Sequence, residues 1–367
     1  MRQPAVNSAT VRATCGLVIL ILLASVFTLI VGRSCEVVTS STQAARSDSD
    51  TKNDPTRPAI ADVAFIDSSD AWAINRSGAA LYHVENGASP RKHATNFGSR
   101  PLISFVDHKT GFAFAHSVKR ATLWRTTDAG QSWQKVTAFD QTFTAPYELH
   151  FVDSQHGWLV DVFSIWRTQD GGVHWNKVFR AADVKGGGID ELKQVSFNGA
   201  ERALVATEQA IYLTSNGGRV WKPVNNNQFA AVYSLDERTS WAWGEWLERT
   251  DDGGKTWRKV YEVKDRIEII STQFINRNLG WAAGVEVPES FASVVRNPSA
   301  PQSNGILFHT KDGGKTWDRA AKPTDTLFRR VAFSDSKHGW LLGIDRLYRT
   351  VDGGLTWTTA LEVSGSR

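Results

Sequence analysis

The chain has 367 residues, a net charge of +4 and an isoelectric point near 9. Half of that charge falls in the first 57 residues, where Arg2, Arg12, Arg33, Arg46, Lys52 and Arg57 meet only four acids; the rest is nearly balanced and offers no phosphate-tracking stripe, which excludes nucleic acid as a partner. Both cysteines, Cys15 and Cys35, precede the globular part, so disulfides, a thiol nucleophile and a thiolate metal site are excluded there.

The first expected element is a membrane segment. Residues 13–32 read ATCGLVILILLASVFTLIVG, a stretch without a charge. At 1.5 Å per residue it matches the roughly 30 Å apolar thickness of a bilayer. Arg2 and Arg12 precede it with no acid between them, which favours residues 1–12 on the cytoplasmic side and the rest outside. The expectation is an uncleaved single-pass signal anchor, with a periplasmic or otherwise extracytoplasmic domain. A cleaved signal peptide is the alternative, although its apolar core is usually shorter, about 7–15 residues. Lipidation at Cys35 fits less well, because Arg33 sits where a small residue belongs. Residues 33–58 are rich in Ser, Thr, Asp and Arg without an apolar period and read as a flexible linker.

From residue 59 to 363 two phrases alternate. The first, aromatic-x-Asp-x-x-x-Gly-Trp, occurs as FVDHKTGF (105–112), FVDSQHGW (151–158), FINRNLGW (274–281) and FSDSKHGW (333–340), with looser copies at 65–72, 197–204 and 233–241. The second occurs as TTDAGQSW (126–133), TQDGGVHW (168–175), TSNGGRVW (214–221), TDDGGKTW (250–257), TKDGGKTW (310–317) and TVDGGLTW (350–357), with a worn copy at 84–90. First-phrase starts are 40, 46, 46, 36, 41 and 59 residues apart. A period near 40, built from short β-branched and aromatic runs between Asp/Gly turns, predicts an all-β, seven-bladed propeller with four antiparallel strands per blade.

The second phrase is the Asp-box (BNR) motif, here Asp128, Gly130 and Trp133; Asp170, Gly172 and Trp175; Asp252, Gly254 and Trp257; Asp312, Gly314 and Trp317; and Asp352, Gly354 and Trp357. A carboxylate there can accept from the turn's own N–H groups, the glycine tolerates positive φ, and the tryptophan is an apolar wedge. Eleven of the 15 tryptophans fall in phase with the two phrases, and periodic apolar residues mark core rather than a sugar platform. Arg125, Arg167, Arg249 and Arg349, each just before a box threonine, are expected to pair locally with box carboxylates. An acid repeated in every blade is a turn fastener, and no acid stands out from the repeat in an apolar setting. A sialidase would need an early Arg-Ile-Pro phrase and a Tyr–Glu pair; Phe328-Arg329-Arg330-Val331 lacks the proline. The nine histidines show no HxH or HxxxH spacing. Neither a catalytic residue nor a metal or cofactor site is predicted, and a glycan-binding or sialidase/glycosidase-like propeller stands as the alternative function.

In residues 60–361, FxDxxxGW alternating with LYRTxDGGxTW resembles the photosystem II stability/assembly factor family and its relatives in non-photosynthetic bacteria. The resemblance implies a lumenal or periplasmic propeller without enzymatic activity, which in photosynthetic organisms binds a reaction-centre subunit precursor. The implied partner is a membrane protein or membrane-associated complex, met by a monomeric propeller. Two features depart from the family: the retained-looking anchor and the worn first box. Connectivity puts hairpins 1–2 and 3–4 on one face with all the boxes, and the 285–305 insertion and blade links on the other. That second face carries Arg180, Lys185, Arg266, Arg296, Arg329 and Arg330, the expected partner-binding residues.

Overall fold

The structure, a computed structural model, describes residues 59–85, 87–117, 120–139, 143–183, 191–263, 267–286, 304–323 and 327–363. The expected anchor and linker, residues 1–58, lie outside them. No helix among the described residues is long and apolar enough to cross a membrane.

Seven four-stranded sheets follow one another along the chain, each with its strands in sequence order. Blade 1 occupies 60–94, blade 2 102–139, blade 3 148–180, blade 4 192–225, blade 5 231–262, blade 6 267–319 and blade 7 330–362. Every neighbouring pair is antiparallel; in blade 3, for example, Gly157 pairs with Phe151 on one side and Thr168 on the other. First strands pack side by side around the centre from blade 1 to 2, 2 to 3, 4 to 5, 5 to 6 and 6 to 7. The seven-bladed ring is therefore as the repeat predicts. The insertion of blade 6 is shorter than its sequence suggests, since Val285 and Glu286 pair with Gly305 and Asn304 and extend the sheet.

The core consists of seven slabs, each drawn from two adjacent blades, including one that joins blade 7 to blade 1. The two tryptophan sets play different parts. First-phrase Trp72, Trp158, Trp241, Trp281 and Trp340 are at most 1 % exposed, whereas the box tryptophans are only half-buried. Each buried ring stacks on the aromatic of the next blade's first strand: Trp72 on Phe105, Trp158 on Phe197, Trp241 on Phe274 (3.7 Å, 3°), Trp281 on Phe333 and Trp340 on Phe65. Phe112 on Phe151 serves the same purpose in blade 2. The box indoles meet these rings edge-on, as Trp175 meets Phe151 at 90° and Trp357 meets Phe333 at 83°. Both geometries suit the ring quadrupole. The glycine of Gly-Trp is required by contact: a Cβ on Gly280 would sit 2.4 Å from the Phe274 ring.

In blade 5 the aromatic position is occupied by Ser234, because Tyr233 lies one residue earlier and sends its hydroxyl to the Phe274 carbonyl at 2.9 Å.

First strands are also linked by polar side chains. Asp62 accepts from Ile103 N–H, Ser104 from Phe151, Gln194 from Val232, Ser196 from Ser234, and Ser271 from Val331. Among the described residues no strand is exchanged between the first and last blades. Instead Arg329 donates to the Ile60 and Ala61 carbonyls, Arg330 to that of Val63, and the Trp340 indole to that of Asp67.

The boxes are turn fasteners, as their chemistry predicts. In blade 7, Asp352 accepts from the Thr350 and Thr356 hydroxyls at 2.8 and 2.6 Å and from the Thr356 N–H at 2.9 Å, while Thr350 Oγ1 accepts from Gly354 N–H. Asp128, Asp170, Asp252 and Asp312 repeat the pattern. Bonds from the Thr356 hydroxyl and amide, then from Thr350, hold the Asp352 carboxyl down at about 2. Most boxes carry glycines at positive φ; blade 2 instead holds Ala129 there, at φ 58°.

Candidate functional site

Of the residues expected to face a partner, Arg180 is exposed at the end of the Asn176–Arg180 strand. Lys185, Arg266 and Arg296 lie outside the described residues. Arg329 and Arg330 enter blade 7 and are spent largely on blade 1, Arg330 also lying 3.6 Å from Asp62. The structure thus brings the last two together at the hub and leaves Arg180 on the outer strand of blade 3.

The hub corrects the expectation that no acid stands out. Three residues before the strand-1 aromatic, Asp62, Gln194, Ser271 and Arg330 all make bonds to the following blade. Glu148, at the same place in blade 3, accepts no hydrogen bond among the described residues. Its carboxyl is pushed up to about 7, chiefly by burial, with Arg330 opposing and Asp62 adding to the rise. Those two groups belong to blades 7 and 1, so the Glu148 carboxyl feels charges across the ring. Burial, assisted by Arg330, drives His150 down to about 4; its ring stacks on Phe197 at 5.3 Å. Asp62 is likewise raised by burial, against Arg330 and two backbone N–H bonds. Glu268 is raised by burial and opposed by Lys193.

Tyr147 is the neighbour a sialidase-like reading would examine. It packs into the slab between blades 3 and 4, and its buried hydroxyl has no hydrogen-bond partner. It forms no hydrogen-bonded pair with Glu148. The sequence did hold a signal for this cluster: Tyr-Glu-Leu-His-Phe (147–151) sets an acid and a histidine into a strand whose counterparts are mostly apolar or hydroxylic.

The repeat arginines do not pair with the box aspartates. Each lies over its own blade's first-phrase ring, Arg249 at 5.0 Å from Trp241 and Arg349 at 5.7 Å from Trp340. From there three of them reach across the junction, and Arg249 also holds Asp251 of its own box phrase. Arg167 bonds Glu201 and the Gly217 carbonyl, Arg249 the Arg277 carbonyl, and Arg349 the Ser68 carbonyl. In blade 1 the place belongs to His83, stacked on Trp72 at 3.9 Å and bonded to buried Asp70. Among the described residues there is no group of three or more His, Cys, Asp or Glu side chains fit to hold a metal ion.

Fold and repeat chemistry together define a seven-bladed Asp-box propeller. A family model described as photosynthesis system II assembly factor YCF48 matches residues 127–232, and the ring as a whole is similar to solved members of that group. One is YCF48 bound to D1 peptide, at 18 % identity over 81 % of this chain and 94 % of the other, with a TM-score of 0.61. Another is YCF48 from Cyanidioschyzon merolae, at 16 % identity, 82 % and 97 % coverage, and a TM-score of 0.61. The GH74 xyloglucanase from Xanthomonas campestris shares the fold at 14 % identity and a TM-score of 0.63, covering 83 % of this chain and 55 % of the enzyme. No curated protein sequence matches the chain. The findings support a propeller of the photosystem II assembly factor-like kind.

Proposed function

We propose that the chain is a non-enzymatic, extracytoplasmic scaffold that binds a membrane protein or membrane complex, held near it by residues 13–32. One observation carries this reading: the recurring residues are used up in turns and blade junctions, leaving loops and links for a partner. A tethered rigid ring raises its own local concentration at the membrane. The solved relative holding a D1 peptide shows that a ring of this shape can present a polypeptide site. The face opposite the boxes, with Arg180, Lys185, Arg266 and Arg296, is the proposed docking side; Arg329 and Arg330, on the same face, are engaged in joining blade 7 to blade 1. Replacing residues 288–302 by a short Gly-Ser linker will leave the thermal unfolding of the ring unchanged and reduce recovery of membrane proteins crosslinked in the native membrane. An unchanged set of crosslinked proteins removes that loop from the docking surface.

The hub favours a second reading. Asp62 and Glu148 are two acids near one arginine, and the xyloglucanase shares the fold. A glycan-active ring would use such a pair as acid and base. Against it, Asp62 is already held by the Ile103 and Val63 N–H groups. Hydrolysis of a chromogenic glycoside panel, abolished by Glu148→Gln, would install this reading in place of the first.

A further inference from the structure

Four blades carry an arginine just before the box threonine, and three of them show which acceptor that guanidinium takes. In blade 5, Arg249 Nη2 lies 2.6 Å from Asp251, the residue after the box threonine, and Arg258 on the next strand lies 2.5 Å from the same carboxylate. In blade 3, Arg167 takes a carboxylate from another direction, Glu201 in the first phrase of blade 4. In blade 7, Arg349 takes the Ser68 carbonyl.

Blade 2 breaks the pattern. Arg125 lies over Phe112 at 5.6 Å as its counterparts lie over their rings. Both positions that supply carboxylates elsewhere are neutral here: Thr127 stands where blade 5 has Asp251, and Gln155 where blade 4 has Glu201. Gln134 replaces Arg258, paired with Arg125 as Arg258 is with Arg249. Arg125 makes no hydrogen bond or ion pair among the described residues, and its Nε is buried without a partner. A cleft of about 200 Å³ opens beside it, lined by Arg125, Thr127, Ser132 and Gln134. The nearby Asp128 carboxylate does not fill the gap; it is occupied by the Thr126 and Ser132 hydroxyls and the Ser132 N–H.

A half-buried guanidinium without an acceptor is costly, and a planar fork is best satisfied by a carboxylate. We propose that the Arg125 cleft, on the box side of blade 2, binds a carboxylate carried by a partner polypeptide in the place that Asp251 fills within blade 5. The hydroxyl of Thr127 and the amide of Gln134 supply further donors around it. This site lies on the box face and stands apart from whether residues 287–303 dock anything.

The test uses the full-length chain in detergent and phenylglyoxal, which modifies unpaired guanidines, with each arginine followed by peptide mass spectrometry. Arg125 will react roughly threefold or more faster than Arg167 and Arg249, which are already engaged. N-acetylglycine, a chain-terminal carboxylate, or N-acetylaspartate amide, a side-chain carboxylate, will slow it, while neutral N-acetylglycinamide will not; the stronger protector names the source. Thr127→Asp supplies the missing acid from within, so Arg125 will fall to the rate of Arg249 and lose its protection by added carboxylate. Equal rates at the three arginines, better protection by inorganic phosphate than by either carboxylate, or a Thr127→Asp chain that still reacts and responds like the parent would each overturn the assignment. None of these readouts depends on capture of a membrane partner.

Discussion

Arg329 Nη1 lies 2.8 Å from the carbonyl oxygen of Ile60, a residue 269 positions earlier in the chain. With its second bond to Ala61, at 2.9 Å, this side chain fastens the last blade to the first strand of the first. Among the described residues no exchanged strand shares the task, and closure there rests on side chains and the blade 7/1 slab. Arg329→Met keeps the apolar stem and removes both donors, leaving two inner-strand carbonyls unpaired at a cost of roughly 2–4 kcal/mol. Hydrogen exchange will quicken in peptides spanning 60–65 and 330–342, with blades 3 and 4 unchanged at low denaturant. Uniform quickening around the ring would show that closure is no weaker than any other junction.

Blade 2 tests the turn chemistry. Ala129 holds φ 58°, where its counterparts Gly171, Gly217, Gly253, Gly313 and Gly353 lie between 68° and 82°. An L-residue with a Cβ pays about 1 kcal/mol or more in the left-handed region. Ala129→Gly will therefore raise ring stability by about 1 kcal/mol, less the extra freedom glycine gains when unfolded. The reverse change at Gly172, where a Cβ would meet Leu123 at 2.1 Å, will lower it. Urea unfolding of the two variants checks the signs.

Blade count, strand order and box geometry were legible because the blade pattern is written seven times and the box six, and a periodic signal survives local wear. What was missed occurs once. Glu148 and Asp62 sit at a position that other blades fill with Leu, Gln, Ala, Ser or Arg, so only the ring brings them into one field. The different burial of the two tryptophan sets was also hidden, since both recur with one period; which set stacks across a junction depends on the facing blade. Arg167 and Arg349 find their acceptors, Glu201 and the Ser68 carbonyl, in the blade that follows in the ring, which a local reading cannot show, whereas Arg249 does take a carboxylate of its own box phrase, Asp251.

Glu148 gives the hub a pH dependence. Its folded-state value, near 7, is above the ordinary carboxyl range, so the protonated form favours folding. Its contribution is fully present below the unfolded value of about 4.5 and is lost as pH rises through 7. Glu148→Gln removes the ionisable group at nearly constant shape. Parent and variant will match near pH 4.5, and the variant will be more stable by roughly 2 kcal/mol at pH 9, discounting the full shift for the solvent the side chain still meets. Chemical denaturation at the two pH values measures the gap, and a gap that does not grow with pH would remove the buried charge from the hub.

A second pH-sensitive contact joins blades 1 and 2, where the worn box leaves no Asp-box hairpin. Asp70, 2 % exposed, accepts from His83 Nε2 at 2.8 Å and from His108 Nδ1 at 2.6 Å. Arg91 donates to His83 Nδ1 at 2.9 Å, which places the His83 proton on Nε2, toward Asp70. The hydrogen bond with Asp70 raises His108 above its ordinary value, against a smaller effect of burial and helped by the charges of Asp70, Asp67 and Asp107. A raised histidine stabilises fully below its unfolded value near 6.5 and loses that contribution as pH climbs through the folded value. The side chain of His108 is 60 % exposed, so the effect is small, below about 1 kcal/mol. His108→Ala will lower the melting temperature at pH 6 by about 2 °C or less, and the difference will shrink by pH 9 as the parent loses its charge. A difference constant from pH 6 to pH 9 would assign the contact to neutral hydrogen bonding alone.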